Sequence, residues 1–398
     1  MDKKQIPVGQ LRIGMYIVEL DRPWLGTPFL FQGFAITSDE QIEALNKLCQ
    51  HVFIDIERDR SYGGRPTSAA GASLLGPVVY SDATSVEREL VIAKEVYTVF
   101  ARTVETCLDL LRSTGELDVR PLEGAVRSMS ESIKRNPNAM MLLISIQEKG
   151  SYEINRAVDT SVLMITFGRF LQYQTERLEF LGLAGLLLDI GKVKVPDSIL
   201  RKPGLLTPEE YVLAGGHVTH SLELIRKTSG LPAGLEEIVS QHHERQDGSG
   251  YPLKLRGADI SIDGAMAGLV DSFSALTSAR PYAEQLSPSN ALNHLHKLRG
   301  KHFHEALTEQ FIQCIGIYPV GSVVELNTGE IGIVLAQNLV RRLQPRVMLV
   351  LDRDWKPLPT QIVLDLVKEP RATADEPYRI RRTLPRDKLP IDPRDFFM

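Results

Sequence analysis

The sequence predicts a mainly α protein with a small α+β module at its N-terminus and a short β-rich extension at its C-terminus. Three observations carry this. Apolar residues recur at three- and four-residue steps from Ser85 onwards, and this helical patterning reaches roughly Ile315. A stretch rich in Gly, Ser, Pro and Ala, residues 58–81, sets that core apart from what precedes it and reads as a linker. Beyond residue 315 the pattern turns to short β-branched runs bounded by Asn-Thr-Gly-Glu and Asp-Arg-Asp turns. The expected domains are therefore 1–57, 82–315 and 316–398, joined across the linker.

In the first module, Leu11 to Leu20 places β-branched and apolar residues around Gly14 and reads as strand. Asp39 to Cys49 has helical spacing through Ile42, Leu45 and Leu48, with Ser38 placed to cap it. Trp24, Phe29, Phe31 and Phe34 read as the core of this small domain. After the linker, Ser85 to Arg112 forms a long amphipathic helix through Leu90, Ala93, Val96, Phe100, Val104, Cys107 and Leu111. Such a stripe packs on its own domain, or serves as a homodimer seam or a signal-transmitting stalk. Helices follow over Glu123–Arg135, Ala139–Gln147, Ala157–Leu171 and Leu178–Leu188, and strands over Val323–Leu326, Ile331–Leu335 and Val347–Leu351.

Several classes are disfavoured. A net charge of -4 gives no global pull towards nucleic acid or an anionic membrane, so no nucleic-acid polymer is expected as partner. The longest apolar run, Leu181 to Leu188, is too short to span a bilayer, and the N-terminus has no apolar signal core. Cys49, Cys107 and Cys314 lie far apart without CxxC spacing, which argues against a disulfide framework and fits a reducing cytoplasm.

Two stretches concentrate the chemistry. The first runs Leu186-Leu187-Leu188-Asp189-Ile190-Gly191-Lys192, an apolar helix ending in a carboxylate, a glycine and an ammonium. The second runs His242-His243-Glu244-Arg245-Gln246-Asp247-Gly248-Ser249-Gly250-Tyr251-Pro252. Between them lies His217, and after them Asp271. Imidazoles and carboxylates converging from several helices are the donor set of a hydrolytic metal centre, in which bound water ionises near neutral pH.

The Asp189 turn, His217, the His242-His243 pair ahead of Gly250-Tyr251-Pro252, and Asp271 in Val270-Asp271-Ser272 together resemble the HD-GYP family. These are metal-dependent phosphodiesterases of bacterial cyclic-di-GMP signalling. The first module is similar to the small domain of unknown function found ahead of some of them. The resemblance implies an HD-superfamily helical core and a divalent metal of iron or manganese type held by Asp189, His217, His242, His243 and Asp271. It gives Asp189 and Lys192 catalytic roles and places Tyr251, Gly250, Arg280 and Arg156 at the substrate, cyclic-di-GMP or a related phosphodiester. His220, His296, His302 and His304 fall outside the pattern.

The metal set departs from the family pattern at two positions. Arg156 stands where the first ligand histidine is expected, and Leu188 where the histidine of the His-Asp pair is expected. A guanidinium does not ligate a cation at ordinary pH, and an isobutyl group has no lone pair. Ser274 and Ala283 replace a further aspartate and lysine of the family. In the family both missing histidines serve the same metal, so one cation site or none is expected here, with Arg156 facing Asp189 and Asp271. Three functions follow: an impaired sensor or interaction module with signalling-protein partners, an active phosphodiesterase using one metal or substitute ligands, or a structural adaptor.

Overall fold

The computed structural model describes residues 3–22, 34–36, 39–55, 74–146, 152–278, 285–373, 375–385 and 392–397. The chain divides into two compact units, Met1–Ala72 and Ser73–Met398.

In the first unit, strands β1 (Lys3–Pro7), β2 (Tyr16–Leu20) and β3 (Phe34–Ala35), helix α1 (Asp39–Leu48) and strand β4 (His51–Asp55) follow in order. The strands pair antiparallel in the order β1-β4-β2-β3. The strand expected from Leu11 begins only at Tyr16, because residues 11–15 make a turn in which Gly14 takes φ 99°. Ile17, Leu45, Val52 and Ile54 form the core of this unit. Trp24, Phe29, Phe31 and the proposed cap Ser38 lie outside the described residues, as does the side chain of Phe34.

The second unit opens with a strap. Residues 74–81 fall within the stretch whose composition reads as linker, yet Gly76 and Val78 donate backbone hydrogen bonds to Leu171 and Gln172 (2.7 and 3.0 Å), and the Tyr80 hydroxyl donates to the Tyr173 carbonyl. Gly76 is required there, since a Cβ would sit 2.3 Å from the Gln172 carbonyl oxygen.

Helices α2 (Val86–Thr114), α3 (Arg120–Arg135), α4 (Pro137–Ile146), α5 (Tyr152–Phe170) and α6 (Thr175–Leu187) come next. The apolar stripe of α2, with Ala93, Phe100, Val104, Cys107 and Leu111 buried, packs on α3 and α4 of its own domain. Ser85 caps its start, and Gly115 at φ 76° ends it. Helix α5 begins at Tyr152, five residues before the apolar periodicity starts, so Arg156 sits inside it rather than ahead of it. It packs against α6 and α11, with Gly185 of α6 so close that a Cβ would lie 2.9 Å from the Cα of Ser161. No polar face is needed on a helix covered from several sides, which is why its pattern is weak.

Short elements follow: α7 (Asp197–Leu200), α8 (Pro208–Gly215), α9 (His217–Lys227), α10 (Leu235–Gln241), α11 (Ile262–Leu276), α12 (Pro288–Lys297) and α13 (Glu305–Ile315). The chain ends in strands β5 (Val323–Leu326), β6 (Ile331–Ala336), β7 (Arg346–Leu351), β8 (Pro357–Asp365) and β9 (Ile380–Leu384), antiparallel in the order β8-β7-β6-β5-β9. The three expected strands are the buried central ones. The two edges went unread because β8 carries two prolines and β9 two arginines on largely exposed backbone. The architecture is mainly α, an HD-type helical core with small sheets towards both termini.

Candidate metal centre

Five elements bring the site together. Asp189 follows α6 at the start of a 3-10 turn over Ile190–Lys194, and that turn presses on α9. At Gly191 a Cβ would lie 2.1 Å from the His217 carbonyl oxygen and 2.3 Å from the Ser221 nitrogen, so only glycine allows the approach. His217 opens α9, His242 and His243 directly follow α10, Arg156 comes from α5 and Asp271 from α11.

Asp189 has two differently occupied oxygens. Its Oδ2 receives Lys192 Nζ at 2.6 Å and faces Arg156 Nη2 at 3.6 Å. Its Oδ1 faces His217 Nε2 at 3.2 Å and His242 Nε2 at 3.9 Å. Burial alone would raise the Asp189 pKa, but Lys192, His217 and Arg156 hold the carboxyl well below its usual range. It is a carboxylate at any working pH.

Both imidazoles facing Oδ1 are oriented through their other nitrogen. His217 Nδ1 lies 2.7 Å from the Ala214 carbonyl and His242 Nδ1 2.7 Å from the Val239 carbonyl. A carbonyl only accepts, so Nδ1 carries the proton and each Nε2 presents a lone pair to the cluster. His243 Nε2 lies 3.1 Å from His217 Nε2. Burial pushes the His242 pKa down to about 4 and, together with the neighbouring His242, that of His243 well below its ordinary value. Neutral imidazoles are the ligand form.

One atom from each of Asp189, His217, His242 and His243 lies within 4.8 Å of the others. Asp189 Oδ1 and His242 Nε2 are buried without a hydrogen-bond partner. Lone pairs turned towards one another in a buried space repel unless a cation lies between them. These residues therefore fit one divalent ion, with three imidazoles and one carboxylate.

Arg156 and Asp271 are arranged differently. Arg156 is 6% exposed; its Nη2 is bonded to Asp271 Oδ1, and its Nη1 donates to the Asp271 carbonyl at 3.4 Å. Burial opposes its charge, but Asp271 and Asp189 outweigh this and raise the pKa. Asp271 Oδ1 is thus held by a guanidinium, and Asp271 is not among the four clustered donors. Arg156 faces Asp189 and Asp271, as expected from its place in the sequence, and forms a buried pair with Asp271. Leu188, directly before Asp189, is 1% exposed.

The Gly250-Tyr251-Pro252 loop lies against the donor cluster. Tyr251 stacks on His243 with ring centroids 4.7 Å apart and planes at 23°. At Gly250 a Cβ would lie 2.5 Å from the Glu244 Cα and the His243 carbonyl oxygen. Arg280, with Ala283, lies outside the described residues.

Sequence reasoning did not single out three supporting residues. Ser221, fully buried, donates to the Leu188 carbonyl at 3.0 Å and accepts from the Gly191 N–H at 2.8 Å, gripping both sides of Asp189. Glu244, 4% exposed, accepts from the N–H groups of Leu253, Lys254 and Leu255 at 2.6, 3.1 and 2.9 Å and shapes the loop after Pro252. Arg245 donates to the His242 and Glu244 carbonyls and lies over the Phe303 ring. A carboxylate directly after two histidines is the signal that could have found Glu244. Ser221 offered none.

Comparison with known proteins shows the family. The HD domain family model matches residues 138–307, and the domain of unknown function DUF3391 matches residues 3–122. A cyclic di-GMP phosphodiesterase of Pseudomonas aeruginosa is 32% identical over 366 residues, covering 90% of this chain and 88% of its own length. A cyclic di-GMP phosphodiesterase of Thermotoga maritima is 39% identical over 33% of this chain and 36% of its own. A 3'3'-cGAMP-specific phosphodiesterase of Vibrio cholerae is 37% identical over 33% of this chain and 25% of its own. No helix among the described residues is long and apolar enough to cross a membrane. With its metal-type donor cluster, its N-terminal module and a relative matched over nine-tenths of its length, the chain belongs to the HD-GYP family of HD-domain proteins in cyclic di-GMP signalling.

Proposed function

We propose that this protein is a one-cation member of its family that binds cyclic di-GMP or a related phosphodiester and turns it over slowly or not at all, acting as a sensor or interaction module. The observation that carries this is the Arg156 guanidinium, lodged against Asp271 and 3.6 Å from Asp189. A fixed internal positive charge there takes up Asp271 and disfavours a second cation through like-charge repulsion. The names of the relatives, cyclic di-GMP and 3'3'-cGAMP phosphodiesterases, support a cyclic dinucleotide as the ligand.

Asp189, His217, His242 and His243 would hold a single ion of iron or manganese type, whose chemistry when bound is Lewis-acid polarisation of a phosphoryl oxygen and of water. The protein's own groups do the rest. The carbonyls of Ala214 and Val239 fix the imidazole tautomers, Lys192 holds Asp189 Oδ2, and Tyr251 covers His243. Arg156, buried and doubly paired, is not offered to a ligand phosphate.

A second reading, an active phosphodiesterase, is favoured by the intact Asp189–Lys192 pair, which is partly open to solvent. The test is metal analysis of protein prepared without chelator, alongside cyclic di-GMP binding and turnover. One metal per chain with nucleotide binding and little turnover supports the proposal. Two metals with rapid conversion to a linear product would replace it by the second reading, and neither metal nor nucleotide would leave an adaptor.

A further inference from the structure

A sequence of ring contacts runs outward from the metal ligands and ends on an uncovered aromatic side chain. His243 stacks on Tyr251, and Tyr251 meets Tyr211 edge-on, with centroids 6.3 Å apart and planes at 74°. Tyr211 lies on α8 and is 60% exposed. One turn later on the same face is Gly215, where a Cβ would lie 3.5 Å from the Tyr251 ring, so this side of α8 is the side turned to the signature loop. Helix α8 lies on the surface with none of its residues buried, and among them Tyr211 is the aromatic one that meets the signature loop.

The helix that presents the ring is held firmly. Thr207 and Glu210 form a capping box: the Glu210 N–H donates to Thr207 Oγ1 at 3.3 Å, and the Thr207 N–H to Glu210 Oε2 at 2.8 Å. Lys202 Nζ donates to the same Glu210 oxygen at 2.5 Å. A ring fixed before binding loses little freedom when something stacks on it, and this is what makes aromatic platforms effective.

We propose that Tyr211 is a base-stacking platform for this site, taking a purine base of a nucleotide whose phosphate lies at the Asp189–His217–His242–His243 centre. The proposal rests on the cyclic-dinucleotide reading above and adds to it the group that holds the base. A phosphate at the cation carries its base one ribose away, and the ring contacts from His243 through Tyr251 to Tyr211 give such a base an aromatic surface beside the centre. Tyr251 has one face taken by His243, whereas among the described residues Tyr211 is 60% exposed and offers ring surface for stacking.

The experiment is equilibrium binding of cyclic di-GMP to the full-length, manganese-loaded protein in the wild type and in Tyr211→Ala, Tyr211→Phe and Val212→Ala. Inorganic phosphate serves as a ligand without a base. Stacking of one base on an aromatic ring corresponds to roughly a 5- to 150-fold change in affinity. Tyr211→Ala should weaken cyclic di-GMP binding within that range and leave phosphate binding and manganese stoichiometry unchanged. Tyr211→Phe should bind within about twofold of wild type, since the ring face and not the hydroxyl is used. Val212 is 72% exposed on the next face of α8 and is the control for loss of surface apolar contact. Cyclic di-GMP binding by Tyr211→Ala equal to wild type, or an equal loss in Val212→Ala, would overturn the proposal while the nucleotide reading stands. Wild-type protein that binds manganese but no cyclic di-GMP would overturn both.

Discussion

Arg156 and Asp271 form an ion pair inside the helical core, with both side chains 6% exposed. Removing one partner leaves the other charge buried alone, and this costs about 3–5 kcal/mol where it has been measured. Arg156→Ala should therefore lower stability by roughly that amount in urea denaturation, whereas Arg156→Lys should cost less because it keeps the charge while losing the planar fork. A loss below about 1 kcal/mol, the size typical of a solvent-exposed pair, would mean the pair is wetter than its burial indicates.

The same two positions that depart from the family pattern govern cation number. Replacing Arg156 and Leu188 together by histidine removes the competing guanidinium, frees Asp271 and supplies two lone pairs beside Asp189. Manganese titration by calorimetry should then rise from one ion per chain to two. If the double variant still takes up a single ion, the geometry around the second position has changed beyond those side chains.

Stability of the metal-free protein should fall on mild acidification. His242 is held neutral by burial, with its pKa near 4 in the folded protein against 6.5 for an unperturbed histidine. An unfolded chain binds the proton first as pH drops, so the stabilisation is complete above pH 6.5 and is lost progressively towards pH 4. The shift corresponds to something on the order of 3 kcal/mol. His243, also lowered, acts with the same sign. Denaturation midpoints in chelator at several pH values across this window should decline steadily. Midpoints that stay level from pH 7 to pH 4.5 would rule this out.

Ser221 should matter to the cation more than to the fold. Its hydroxyl bridges the Leu188 carbonyl and the Gly191 N–H, and its own helix carries His217 one turn earlier, so it sets the carboxylate ligand against an imidazole ligand. Ser221→Ala should weaken metal binding by about 10–100-fold, the usual effect of removing a support behind a ligand. Competition with a fluorescent chelator measures this directly. A variant with unchanged metal affinity and only a lower melting temperature would assign Ser221 to packing alone.

Legibility of the fold tracked how strongly each segment's own pattern reflected its burial. Helix α2 was read nearly to its ends because one face is buried and the other wet, which writes a 3.6-residue period into the sequence. Helix α5 was read late, from Ala157, because it is covered on most sides and its first turn includes Arg156, a charged residue in a buried place. Strands β8 and β9 were missed because edge strands tolerate proline and arginine where central strands do not.

The amino-acid order by itself determined the layout of helical core and flanking sheets, and it determined which side chains could serve a cation. Donor chemistry belongs to the residue type, and the resemblance to the HD-GYP family is what associated Asp189, His217 and the His242-His243 pair. Tertiary structure decided how those groups are used. Only packing could bring Ser221 behind Asp189 and set Tyr211 beside Tyr251. These relationships depend on distances between segments far apart in the chain, and a linear pattern carries no information about which face of one helix meets which face of another.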